Sequence, residues 1–118
     1  MIAAMDSTQS KRVTQRQSNA SVENPPGVFR TTMAYNSATM MCHFRLLRGA
    51  RIPVHGHPHV QNGYMISGKM NFVDGKGGSF LALPGTGWCF GPGEEHGAEV
   101  LEDSEVLECF APMRADYV

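Results

Sequence analysis

No apolar run in this sequence exceeds a few residues, far short of the ~20 that a membrane-spanning helix needs. No run of Lys or Arg is present to follow phosphates, and a formal net charge of −1 gives no general pull toward nucleic acid or an anionic membrane. These absences set aside nucleic-acid and membrane partners. Met1–Asp6 has neither the charged nor the apolar region of a secretory signal, so the expected location is the cytoplasm. Asn19-Ala20-Ser21 matches a glycosylation sequon, which without export is a chance match. Cysteine is scarce. Cys42, Cys89 and Cys109 cannot all pair within one chain, none forms a CxxC, and each sits among apolar residues. Reduced, buried thiols are the expectation. Helical periodicity is absent too, as is any repeat at solenoid spacing.

What is there reads as one all-β domain. At 118 residues the chain can bury one core. Residues 1–24 are dominated by Gln, Ser, Thr, Asn, Lys and Arg. Such a segment cannot offset its ordering entropy by burial, so it is expected to be a mobile tail, with the folded domain over 25–118. Pro25-Pro26-Gly27 marks the entry. Beyond it, Gly and Pro recur at intervals too short for helices. Between them lie runs of β-formers at 28–35, 40–47, 63–66, 70–73, 79–83, 88–90 and 106–110. Short strands with regular turn signals mean a sandwich or barrel. Asp74-Gly75-Lys76-Gly77-Gly78 is a strong hairpin turn, since Asp and Gly accept positive φ. From Glu94 to Glu108 every Asp, Glu, Lys or Arg present is acidic. These acids are expected on solvated strand faces opposite Arg45, Arg48 and Arg51.

The histidines carry the chemistry. On a strand, residues i and i+2 share a face, so His55 and His57 can aim two imidazoles at one point. The turn Gly91-Pro92-Gly93 would swing His96 onto the next strand, to close the set from across a barrel. His-x-His alone is a weak signal, more often surface or hydrogen-bonded than ligating. His59 shares the parity and is the reserve ligand, although Pro58 should bend the strand there. His43 reads as a packed residue or a neighbour of the site.

Gly49, His55, His57, Gln61 and Gly68 fill the spacing of the first cupin motif. Gly85, Gly93 and His96 fill the second, with Gly91 where proline is usual. The chain therefore resembles the cupin superfamily. That resemblance implies a double-stranded β-helix (jelly-roll) barrel and one divalent transition metal held by His55, His57, Gln61 and His96. Many cupins have Glu where this chain has Gln61. A neutral amide oxygen binds more weakly and leaves the full cation charge to act on a substrate. Ni, Zn, Fe, Mn and Cu all suit such donors.

A narrower resemblance runs from His57 to Tyr64 and from His96 to Tyr117, to the KdgF-type cupins of pectin and alginate breakdown. Those enzymes turn 4,5-unsaturated uronates into linear keto-uronates. The resemblance implies catalytic roles for Glu108, Phe110 and Arg114. Two departures stand against it: Glu108 is one methylene longer than the family's Asp, and Val60 stands where Glu is usual. On chemistry alone, Glu108 could relay a proton and Arg114 could grip the carboxylate of an anionic small-molecule substrate. Phe110 could exclude water. A cupin oxygenase and a non-catalytic binding cupin are the alternatives. Many cupins pair as homodimers across edge strands, and Val28–Tyr35 is the candidate edge.

Overall fold

In Val106–Phe110 every second side chain turns inward. Val106, Glu108 and Phe110 are buried, while Leu107 and Cys109 stay partly exposed. This period of two runs through the whole barrel. The computed structural model describes residues 10–16 and 21–118. Its strands are β1 (Val22–Glu23), β2 (Val28–Asn36), β3 (Thr39–Leu46), β4 (Arg51–His55), β5 (Val60–Asp74), β6 (Ser79–Ala82), β7 (Gly87–Phe90) and β8 (His96–Ala111), followed by a 3-10 turn at Ala115–Tyr117.

All strand pairs are antiparallel, in the order β1-β2-β3-β8-β5-β6, with β4 on β8 and β7 on β5. The two long strands, β5 and β8, form the spine. Along the first stretch of β5 and the last of β8, the neighbours are β7 and β3. Along their other ends, the neighbours are β6 and β4. Two sheets thus share one bent pair of strands, which is a double-stranded β-helix. The bend falls at the register shifts between Met65 and Met70. Gly68, at φ 94°, sits in that bend. A Cβ there would meet Ser104 Oγ at 2.2 Å, the hydroxyl that accepts a hydrogen bond from the Lys69 N–H.

The core joins an aliphatic and Met-rich half (Met40, Leu46, Met65, Val100) to an aromatic cluster, where Phe72 stacks on Phe80 at 5.0 Å and lies 4.6 Å from Trp88. Full burial of each such side chain is worth roughly 1.5–3 kcal/mol. Asp74 closes its hairpin as expected, accepting from the Lys76 and Gly78 N–H groups at 2.7 and 2.9 Å. The acids also meet the arginines. Arg45 faces Glu105 in register, Arg51 lies 3.7 Å from Glu99, and the backbone N–H of Arg48 donates to Asp103 Oδ1.

Several expectations need correction. The runs at 63–66 and 70–73 are one strand, because Gly68 makes a bulge and not a turn. The last strand begins at His96, ten residues before Val106. Of the cysteines only Cys42 is buried. Cys89 is exposed and Cys109 intermediate, because both fall on the outward parity of their strands. Val22–Glu23, placed in the tail, pairs with β2, and Lys11 bridges to Tyr35. The rest of that tail, residues 1–9 and 17–20, lies outside the described residues. Val28–Tyr35 is accordingly not an open edge, since β3 flanks one side and β1 and Lys11 cover parts of the other. Among the described residues no helix is long and apolar enough to cross a membrane.

Candidate metal centre

His55 ends β4 and His96 opens β8, and the two are register partners. Their rings lie 4.7 Å apart. His96 therefore stands beside His55, not across the barrel from it as expected. His57 lies past the end of β4, so strand parity does not place it. A backbone bond does: the Gly93 N–H donates to His57 O at 2.8 Å, tying this segment to the Gly91–His96 corner. Gly56 allows the close approach, since a Cβ there would stand 3.2 Å from Gly93 O. The result is a trio, His55, His57 and His96, with one ligand atom from each all within 4.8 Å of one another.

The ring nitrogens suit a cation. His55 Nδ1 donates to Pro53 O at 2.8 Å and His96 Nδ1 donates to Glu94 O at 2.9 Å. Each bond fixes the tautomer and leaves Nε2 as the lone-pair donor. His96 Nε2 is buried with no hydrogen-bond partner. Burial holds His96 and His57 below the ordinary 6.5, so both are neutral bases near neutral pH. Phe90 stacks on His96 at 4.3 Å and 2°. A buried, orphaned imidazole nitrogen beside two others fits a divalent transition metal.

His59 stands outside the trio. Its ring is 5.3 Å from His57 and its Nδ1 is buried without a partner. His43 is packed on the outer face, its Nε2 3.0 Å from Glu105 Oε2.

Gln61 links the histidines to the carboxylate. Its Oε1 lies 2.8 Å from His57 Nε2, and its Nε2 donates to Glu108 Oε2. Gln61 sits on β5 between Phe110 of β8 and Phe90 of β7, all facing inward. Two register pairs on, Glu108 and Trp88 flank Gly63. A Cβ at Gly63 would stand 2.5 Å from the Trp88 ring. The missing side chain lets the indole lie over β5 and reach Glu108. Its N–H is not aligned to complete a hydrogen bond there. Burial pushes the Glu108 carboxyl up to about 7, partly countered by the Gln61 hydrogen bond and by Arg114.

Arg114, which could have been a surface residue, lines the same cavity of about 60 Å³ as His55, His96, Gln61, Glu108 and Phe110. That is room for a handful of waters. Phe110 is 2% exposed and meets His57 edge-on at 6.1 Å. The structure thus brings His55, Gln61, His96, Glu108, Phe110 and Arg114 to one cavity, with His57 in the trio beside it, and leaves His59 and His43 outside. Reading the sequence did not single out Tyr117, which also lines this cavity, Trp88, which lies against Gly63, or Arg30, which lies outside the cavity lining and against the Tyr117 ring. Arg30 carried a signal, because it shares strand parity with buried Val28.

No family model matches the chain, and no curated protein does. Solved structures match it closely. An RmlC-like cupin from Shewanella frigidimarina NCIMB 400 superposes with a TM-score of 0.87 at 22% identity, covering 93% of this chain and 99% of the other. KdgF from Halomonas sp. superposes with a TM-score of 0.84 at 28% identity, covering 90% and 99%. An RmlC-like cupin from Desulfovibrio desulfuricans gives 0.68 at 20% identity, covering 84% and 95%. The chain is a cupin by fold, with KdgF-like similarity.

Proposed function

We propose that this protein is a metal-dependent enzyme that opens 4,5-unsaturated uronates to linear keto-uronates. The observation that carries the proposal is the convergence of Glu108 and Arg114 on one cavity with His55 and His96 of the histidine trio. The similarity to KdgF supports the substrate class.

His55, His57 and His96 would hold the metal, with Gln61 Oε1 as fourth ligand. Gln61 Oε1 lies 2.8 Å from His57 Nε2, so the amide oxygen is at hand beside the trio. A divalent ion held there supplies Lewis-acid polarisation of a substrate oxygen.

The reaction is an isomerisation. The hemiacetal hydroxyl loses its proton, the ring C–O bond breaks, and an aldehyde and an enolate result. The enolate then gains that proton on carbon and becomes the ketone. Glu108 is placed to take the first proton and return one to carbon, since a carboxyl that titrates near neutrality serves as acid and base alike. Gln61 orients that carboxylate by donating to it. Phe110 and Trp88 keep water from its walls. Arg114 meets the substrate carboxylate.

Incubation of the zinc- or nickel-loaded protein with unsaturated galacturonate or mannuronate tests the proposal. Loss of the ultraviolet absorbance of the substrate is expected with wild type and not with His96→Ala. No turnover by fully loaded wild type sinks the uronate assignment. Oxygen uptake with candidate diketones would instead point to an oxygenase, and binding without product to a carrier. A homodimer is part of the same proposal, and light scattering decides it.

A further inference from the structure

Arg30 has no part in the chemistry above. It lies on β2 opposite Phe44, on the inward parity of Val28. Its guanidinium carbon is 4.0 Å from the centroid of the Tyr117 ring, and that of Arg114 is 3.9 Å from the same centroid. Both guanidinium groups therefore pack on this one ring. Each face of an aromatic ring attracts a cation, and one tyrosine holds both.

Tyr117 is fixed from other sides as well. Thr32 Oγ1 donates to Tyr117 O at 2.5 Å, and the Tyr117 N–H donates to Arg114 O at 3.0 Å. The ring meets Phe44 and Phe110 edge-on at 6.4 and 5.5 Å. Arg114 is held along one edge by Asp116, with Nε donating to Oδ1 at 3.2 Å and Nη2 to Oδ2 at 2.9 Å. Its opposite edge, Nη1 and the second Nη2 proton, is left to meet an anion. Arg30, by contrast, forms no ion pair among the described residues, and its Nε is buried without a hydrogen-bond partner. A cation kept there at that cost packs its guanidinium on the ring that holds Arg114.

We infer that Arg30 and Tyr117 are positioning residues: Arg30 braces the Tyr117 ring, and the ring aims the free edge of Arg114 into the cavity. The inference rests on the reading above only in that Arg114 meets the substrate carboxylate.

Nitrogen-15 relaxation of Arg114 Nε reads the clamp without substrate. The zinc-loaded protein is used, with the signal assigned by its loss in Arg114→Lys. In wild type and Tyr117→Phe the order parameter should lie near that of rigid backbone, about 0.85, and in Tyr117→Leu and Arg30→Met it should fall below about 0.6. Zinc stoichiometry should be the same in all. If uronate is turned over, KM should rise about tenfold in Arg30→Met with kcat nearly unchanged, within the range of a cation–π contact. An Arg114 signal that stays ordered in Arg30→Met overturns the inference, whether or not Tyr117→Leu folds. Absence of uronate turnover in wild type overturns the substrate assignment alone and leaves the relaxation result to decide this one.

Discussion

Gln61 donates its amide N–H to the carboxylate of Glu108 and so turns its amide oxygen toward His57. One side chain thereby couples the proton-handling group to the histidine trio. A Glu at this position could not donate, and would set two carboxylates against each other.

Substitution at Gln61 should separate the two roles. Gln61→Leu should weaken zinc binding about tenfold, within the range seen when groups around a metal are removed. Gln61→Glu should strengthen zinc binding and raise the Glu108 pKa by like-charge repulsion. Competition titration with a chelating dye measures the first effect, and carboxyl infrared difference spectra of metal-free protein measure the second. Equal zinc affinity in all three proteins would remove Gln61 from the ligand set.

The pH dependence of metal binding follows from the depressed His57 and His96. Metal requires neutral imidazole. At these two ligands protons therefore compete only below the ordinary 6.5, and the fall in zinc affinity that they cause should set in beneath that value. A midpoint of zinc loss at or above 6.5 would contradict this.

Glu108 should cost stability in the metal-free protein. Its folded pKa of about 7 lies above the ordinary 4.5. Between those values the native state holds a proton that the unfolded state has released, so the Glu108 contribution to stability falls as pH rises through the window and levels off above it, opposite in sign to that of the depressed His57 and His96. The total is on the order of 3 kcal/mol. Glu108→Gln should abolish this fall, which urea unfolding of metal-free wild type and variant from pH 4.5 to 7 measures.

Local pattern explains what was legible in the sequence. His55, His57 and Gln61 lie within seven positions, and His96 follows its glycine corner by three. Such spacings survive folding because short segments carry them. Glu108 and Phe110 were legible for the same reason, as alternate positions of one strand. The full lengths of β5 and β8 were not, because Gly68 reads as a breaker in isolation and becomes a bulge only against Ser104. Arg30 and Tyr117 are 87 positions apart in the chain and meet only when the C-terminal turn folds back on β2. No local spacing announces such a pair.

Gly63 gives a test of the packing behind the site. Gly63→Ala places a methyl 2.5 Å from the Trp88 ring and should cost about 1–3 kcal/mol through overpacking. The chain has one tryptophan, so its fluorescence reports this displacement directly. Unchanged emission and stability would mean that Trp88 does not lie over β5.

A crystal structure of the metal-loaded protein with anomalous scattering tests the central claim most directly. One anomalous peak is expected, about 2.0–2.2 Å from Nε2 of His55, Nε2 of His96, a ring nitrogen of His57 and Oε1 of Gln61. A peak on His59 instead, or none in protein saturated with metal, would contradict the account.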